Sequence, residues 1–238
     1  MNEAIYDVIF RRRDVRKEFN GEPIDPDVLG RILRAAHSAP SVGMSQPWDF
    51  TLVFDRDIRT SFRNHVVSER EIFNLSLPAD RKEVFAGVKI EGILESSLGI
   101  AVSYNGSRGA PAVLGRHAID DVGLYSVCLA IENLWLAATA EGIGVGWVSF
   151  YREEFLAGLL NMPEGIRPIA WLCVGPVSHF EEVPDLERLG WRARADLSGF
   201  VHLDTFDSSV GGDGRLNLQP TAFTSLPSVD EPTSLRKH

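Results

Sequence analysis

The run Leu124 to Ala140 (LYSVCLAIENLWLAATA) is apolar on nearly every side, and a helix of that kind must be buried over most of its surface. Such a helix either sits at the centre of a core or lies in an interface between subunits, and the rest of the chain has to be arranged around it. Glu132 and Asn133, set within it, then require partners. At 17 residues between those bounds, and interrupted by Glu132, it falls short of the length of a membrane span.

A chain of 238 residues with 44% hydrophobic content can bury one sizeable core, so one domain is expected, over residues 1–206. From 207 to 238 the composition turns to Gly, Ser, Thr, Pro and Asp. That stretch reads as a tail, either disordered or packed across a partner subunit. Lys and Arg number 24 against 33 Asp and Glu, a formal net charge of −9. General attraction to nucleic acid or an anionic membrane is disfavoured, and any phosphate must be held in a local basic pocket. Cys128 and Cys173 both stand in apolar runs and read as small buried thiols, which fits a reducing cytoplasm. The N-terminus places its basic cluster after its apolar residues, the wrong order for a secretory signal.

Around the apolar helix the pattern alternates between helix and strand. Ile5, Val8 and Ile9 stand at helical spacing and predict a first helix over 3–12 that delivers Arg11, Arg12 and Arg13 at its C-terminal end. Asp25 as N-cap and Pro26 at the first helical position announce a second helix, ending before Pro40. The segment Ser38 to Trp48 (SAPSVGMSQPW) reads as an ordered loop leading into the strand DFTLVF. From Arg56 to about Glu95 the pattern is charged and helical, broken near Pro78 and Gly87, and suggests a lid or outer layer. LGIAVSY reads as a buried strand and Asn105 to Ala118 as a mobile, gating loop. IGVGWVSF and RPIAWLCVG are strands joined by a short helix over 153–160, giving one β-α-β order and a class of α+β or α/β.

Three groups of residues could carry chemistry. Four arginines fall within Arg11 to Arg16, with Asp14 among them, and guanidinium groups grip phosphate or carboxylate bidentately. A basic helix end that satisfies the last carbonyls is the competing reading. Pro40, Ser41, Val42 and Gly43, followed by Gln46, Pro47 and Trp48, combine rigidity, a hydroxyl, a close-approach glycine and an amide. That set suits a flat heterocycle with polar edges, but equally an ordinary helix-to-strand connection. The alternate glycines of Gly142 to Gly146 let another backbone or a planar ring approach the strand, and their spacing is not that of a dinucleotide fingerprint. Ser149 ends that strand with no nearby His or Asp in sequence, so a hydrolase triad is unsupported. Arg192 and Arg194 supply two later cations. The six histidines are scattered and neither cysteine has a near partner, so no bound metal is expected.

Taken together, RRRDVRKEF, LxRILxAAHSAPSVGxxQPW, KIEGI, the long run from Leu124 to Tyr151 and IAWLCVGPV resemble the BluB family of 5,6-dimethylbenzimidazole synthases, in that family's order and over about residues 3–206. The resemblance implies an α+β nitroreductase-like fold: a mixed, mainly antiparallel sheet flanked by helices, in an interlocked homodimer with FMN at the interface. It implies that Arg12, Arg13 and Arg16 hold the FMN phosphate and ribityl edge, that Pro40, Ser41, Val42, Gly43 and Gln46 line the ring, with Trp147 and Val148 beside it, and that Arg192 and Arg194 lie near the phosphate. It further implies that reduced FMN is the substrate, fragmented with molecular oxygen to 5,6-dimethylbenzimidazole and erythrose 4-phosphate, with Asp14 as the key acid and Ser149 as the key hydroxyl.

Other nitroreductases commonly carry Ser where this chain has Asp14, so the resemblance favours the synthase. The chain departs from the synthase pattern at Glu95 to Gly99 and at Gly123, where an Asp usually stands. Two further readings therefore stay open: an NAD(P)H-dependent reductase that retains its flavin, and a flavin-binding protein without turnover. Electrons would come from NADH or NADPH, or from a separate flavin reductase.

Overall fold

The structure is a computed structural model that describes residues 3–202 and 204–206. The expected tail, 207–238, lies outside the described residues. By its internal contacts the chain divides into Met1–Trp191 and Arg192–His238.

In the first unit, helix α1 (Glu3–Arg11) and helix α2 (Pro26–His37) precede strand β1 (Trp48–Val53). The Asp25 side chain accepts from the backbone N–H groups of Asp27 and Val28, so α2 starts where an N-cap followed by proline predicts. Helices α3 (Arg56–Ser76) and α4 (Ala79–Ala86) follow, broken at Leu77 and Pro78 and closed at Gly87. Then come strand β2 (Leu98–Asn105), helix α5 (Val122–Ala140), strand β3 (Ile143–Val148), helix α6 (Glu153–Leu159), strand β4 (Ile166–Pro176) and the short helix α7 (Asp185–Arg188). Among the described residues of the second unit, a 3-10 turn covers Leu197–Phe200.

The strands form one four-stranded sheet in the order β1-β2-β4-β3, every neighbour antiparallel. The β3-α6-β4 passage is thus a long connection between antiparallel neighbours and not the parallel crossover that β-α-β order suggests. Its mixed character comes from one parallel bridge, Asp14 to Val145, where the chain after α1 runs beside β3.

Both faces of the sheet are covered, and period-two alternation sorts its residues between them. Leu98, Ile100, Val102, Leu172 and Val174 pack under α2 and α5, with Ile32, Val127, Ile131 and Leu134. Ala101, Trp171, Cys173 and Val148 face the other way, onto Phe62 and Val66 of α3 and Ile93. The class is α+β.

Helix α5 departs from the expectation of burial on nearly all sides. Tyr125, Cys128, Leu129 and Glu132 form an exposed stripe at helical spacing, while Ser126, Val127, Ala130, Ile131 and Leu134 are buried. Cys128 is accordingly exposed, which corrects its reading as a buried thiol; Cys173 is buried. Asn133 finds its partner in the carbonyl of Ala35, 3.2 Å away. At 19 residues α5 does reach a membrane span by length and composition alone, which corrects the expectation that it falls short of one; half of that window is buried in the fold.

Candidate functional site

The glycines of β3 explain how the arginine-rich segment reaches the sheet. A Cβ on Gly146 would stand 2.0 Å from the Val15 carbonyl oxygen, and one on Gly144 would meet Val177 and Val15. Only glycine lets the Asp14–Val15 backbone lie against β3, where Val15 N–H donates to Val145 O at 3.0 Å. The approach expected of either a backbone or a ring is made by backbone.

That crossing seats Asp14. Its Oδ1 accepts from Trp147 N–H at 3.0 Å and its Oδ2 pairs with Arg16 Nη1 at 2.5 Å. Arg16 also reaches Trp147 O, at 3.5 Å. Burial raises the Asp14 carboxyl above the ordinary carboxylate range, and Arg16, the Trp147 N–H and Arg12 pull it back down. The side chain keeps 36% of its surface, so water on one side moderates the rise.

The arginines divide their work. Arg13 folds back on backbone, donating to Phe10 O at 2.7 Å and Arg12 O at 2.8 Å, and also to Glu182 O. It therefore does the carbonyl-capping work that was the competing reading of this cluster. Arg12 lies over the Trp135 ring, 4.9 Å from its centroid, and among the described residues it makes no ion pair with a carboxylate. Trp135 Nε1 donates to Arg13 O at 3.1 Å and anchors the segment on α5.

A pocket of about 120 Å³ lies beside this segment, lined by Arg13, Asp14 and Arg16 and by the carboxylates Glu18, Glu181 and Asp185. The three carboxylates have oxygens within 4.8 Å of one another. Lys17 Nζ stands 3.4 to 3.7 Å from all three, and Arg188 pairs with Asp185 at 2.5 Å. They form an ion-pair network. Glu18 is buried, and its Oε2 accepts from Arg16 and Lys17 N–H at 3.2 Å each, fixing the turn that carries Arg16. A search of the sequence for histidine and cysteine spacing could not reveal this network, since its members are joined only by the return of the chain after β4.

The Ser38 to Trp48 loop is built differently. Residues Val42–Met44 form a 3-10 turn in which Gly43 has φ +52°, and Met44 and Gln46 also adopt positive φ, 54° and 46°. Left-handed non-glycine residues cost about 1–3 kcal/mol each and persist where surroundings hold them. Here Ser41 Oγ accepts from Gln46 N–H at 3.0 Å, and Val42 N–H donates to Ser126 Oγ of α5 at 3.1 Å. A Cβ on Gly43 would stand 2.7 Å from Leu114 N, so the loop over 105–119 packs against the turn. Ser45 Oγ is buried with no hydrogen-bond partner among the described residues. Pro40 is exposed, while Ser41, Val42 and Gln46 are half-buried.

Ser149 follows β3, is exposed, and opens onto a pocket of about 450 Å³ whose walls include Glu69, Phe73, Ser76 and Phe150. Val148 is buried on the α3 face. Arg192 and Arg194 belong to the second unit and are exposed there. Gly123, in the first turn of α5, is buried: a Cβ there would lie 2.6 Å from the Tyr104 ring, so this aromatic takes the space of a side chain at that position.

The structure thus brings Arg12, Asp14, Arg16 and Trp147 together, with Ser149 two residues further along the chain from Trp147. It holds Ser41, Val42 and Gln46 in a second group at the other end of α5. Trp135 and Ser126, nine positions apart, mark the two ends, about 13 Å along the helix. The donors fit a flavin phosphate and ring in kind: among the described residues Arg12 makes no ion pair with a carboxylate, and the Ser45 hydroxyl has no hydrogen-bond partner.

Residues 9–176 match the sequence pattern of the nitroreductase family. A 5,6-dimethylbenzimidazole synthase of Rhodospirillum rubrum is 38% identical over 189 residues, 79% of this chain and 89% of that protein. One from Rhodobacter capsulatus is 33% identical over 190 residues, covering 80% and 91%. Among solved structures, iodotyrosine deiodinase bound to FMN and 3-iodo-L-tyrosine superposes with a TM-score of 0.66 at 23% identity, covering 85% of this chain and all of that one.

Proposed function

The chain belongs to the nitroreductase family, and on that footing we propose that it fragments reduced FMN with molecular oxygen, forming 5,6-dimethylbenzimidazole and releasing erythrose 4-phosphate. The observation that carries this reading is Asp14, a carboxylate raised by burial and fixed on β3 by Trp147 N–H and Arg16. A carboxyl raised by burial holds a proton more readily than an ordinary carboxylate, which suits it to take and return one as a ribityl carbon reacts.

Flavin would supply both the electrons and the fragmented skeleton, and the residues of this chain do the rest. Arg12 and Arg16 offer guanidinium groups to the phosphate, while Arg13 stiffens the segment. Ser149, exposed at the end of β3, offers a hydroxyl to a ring nitrogen or to a developing oxyanion. The Ser41 to Gln46 loop offers the ring an amide, hydroxyls and backbone N–H groups.

The two groups of residues stand at opposite ends of α5 in one protomer, and the α5 stripe of Tyr125, Cys128 and Leu129 is apolar and uncovered, as are Ile5, Tyr6, Ile9 and Phe10 of α1. Both facts support a homodimer in which each flavin takes its phosphate grip from one protomer and its ring-lining loop from the other.

The test is to mix the protein with chemically reduced FMN, admit oxygen and analyse small molecules by mass spectrometry. 5,6-Dimethylbenzimidazole is the expected product. Recovery of all the flavin as FMN would overturn the synthase reading and favour a flavin-retaining NAD(P)H-dependent reductase, for which the filling of the Gly123 position by Tyr104 is the supporting observation.

A further inference from the structure

We infer that His37, the last residue of α2, is a positioning residue that turns the Gln46 carboxamide so that its NH2 group faces outward as a donor to a hydrogen-bond acceptor on the bound heterocycle. The inference deepens the flavin reading above and rests on it.

The geometry starts from Trp48. Its indole Nε1 lies 3.2 Å from His37 Nδ1, with the rings edge-on at 90°. An indole N–H only donates, so Nδ1 must be the unprotonated nitrogen. A neutral imidazole with Nδ1 accepting carries its proton on Nε2. Gln46 Nε2 lies 3.4 Å from that Nε2, and since two N–H donors cannot bond each other, the carboxamide's near-identical N and O ends have to be exchanged. Of the two carboxamide ends beside it, a protonated Nε2 can bond only the oxygen. Gln46 therefore turns Oε1 to His37, and both N–H bonds of its NH2 group are left to point away.

The backbone beneath makes this orientation matter. Gln46 sits at φ +46°, two residues after Met44 at +54°, in a turn tied down by Ser41 Oγ. A glutamine held in a strained conformation, with its amide pinned from behind by a relay from a buried tryptophan, is preorganised. The chain Trp48 N–H to His37 to Gln46 gives the loop one fixed donor. Its fitting partner is an acceptor in the plane of a polar-edged ring: a carbonyl oxygen or an unprotonated ring nitrogen.

Two variants separate the links. His37→Asn places an amide oxygen where Nδ1 stood and keeps an acceptor for Trp48, but does not reach Gln46. Gln46→Ala removes the donor itself. Oxidised FMN binding, read by flavin fluorescence, should weaken about five- to tenfold in each single variant, as loss of one hydrogen bond implies. The double variant should be no weaker than Gln46→Ala, the signature of one shared interaction. Nitrogen-15 NMR of the flavin-free protein should show His37 Nδ1 bare and Nε2 protonated. A proton on Nδ1, unchanged FMN affinity in His37→Asn or in Gln46→Ala, or losses that multiply in the double variant would each overturn the relay. If the parent itself fails to bind FMN, the flavin reading falls and the relay with it; if the parent binds and His37→Asn binds equally well, only the relay falls.

Discussion

The segment from Arg12 to Glu18 and the loop from Ser38 to Trp48 are both non-regular chain carrying polar residues, yet they are held by opposite means. The first is fixed from a distance: Val15 lies on β3 because Gly146 leaves room, and Asp14, Arg13 and Glu18 bond to Trp147, Glu182 and the local backbone. The second is shaped by its own turn, through Ser41 and three left-handed residues, and is tied by hydrogen bonds to Ser126 of α5, to Asn105, whose N–H donates to Pro47 O at 2.8 Å, and to His37 from Trp48. A site fixed by long-range crossing fails when the crossing is blocked. A locally built one loses strength in steps.

The largest effect expected from that contrast is at Gly146. Gly146→Val puts a side chain into the Val15 carbonyl, undocking Asp14 and Arg16 together. We expect a melting temperature lower by about 5–10 °C and no measurable FMN binding in whatever remains folded. A stable variant that binds FMN normally would show that the crossing is not what builds this half of the site.

A smaller effect is expected at Ser126, whose hydroxyl accepts from Val42 N–H and ties the loop to α5. Ser126→Ala leaves Val42 N–H without its acceptor and should cost about 1 kcal/mol, or roughly 2–4 °C by calorimetry. FMN affinity should fall by several-fold while Asp14 chemistry continues at saturating flavin. Equal loss of both would erase the distinction between the two regions.

The smallest effect concerns pH. Burial raises the Asp14 carboxyl, so its contribution to stability is present below the unfolded value, about 4, and is lost as pH rises through the higher folded value. Urea melts of the parent and of Asp14→Asn across that window should show the parent losing ground as pH rises. If it gains instead, the Arg16 pair outweighs burial.

How much of this was legible in the sequence follows the same division. Local signals were sound: Asp25 and Pro26 start α2, Pro78 and Gly87 break the outer helices, and the apolar run over Leu98 to Tyr104 predicts a buried strand against the observed Leu98–Asn105. The first helix ends one residue before the expected Arg12, and β1 starts at Trp48, one residue earlier than the motif implies. Long-range features were not legible. Apolar content cannot tell a buried helix face from one left for a partner, so Cys128 was misplaced while Cys173 was not. The order β-α-β does not carry strand direction. The glycines at Gly144 and Gly146 announced a close approach without saying what approaches, and no local pattern links Glu18 to Glu181 and Asp185. The grouping of Arg12, Arg13 and Arg16 was readable as a cluster, but its division into a cap, a cation stacked on Trp135 and the partner of Asp14 depends on what the fold brings near.

The most direct measurement is of Asp14→Asn against the parent, recording the dissociation constant for FMN and the yield of 5,6-dimethylbenzimidazole from reduced FMN in air on the same preparations. If arginines bind and Asp14 moves protons, FMN affinity stays within a few-fold of the parent and benzimidazole formation is lost. A variant that still forms benzimidazole at the parental rate, or one that no longer binds FMN, would contradict that division of labour.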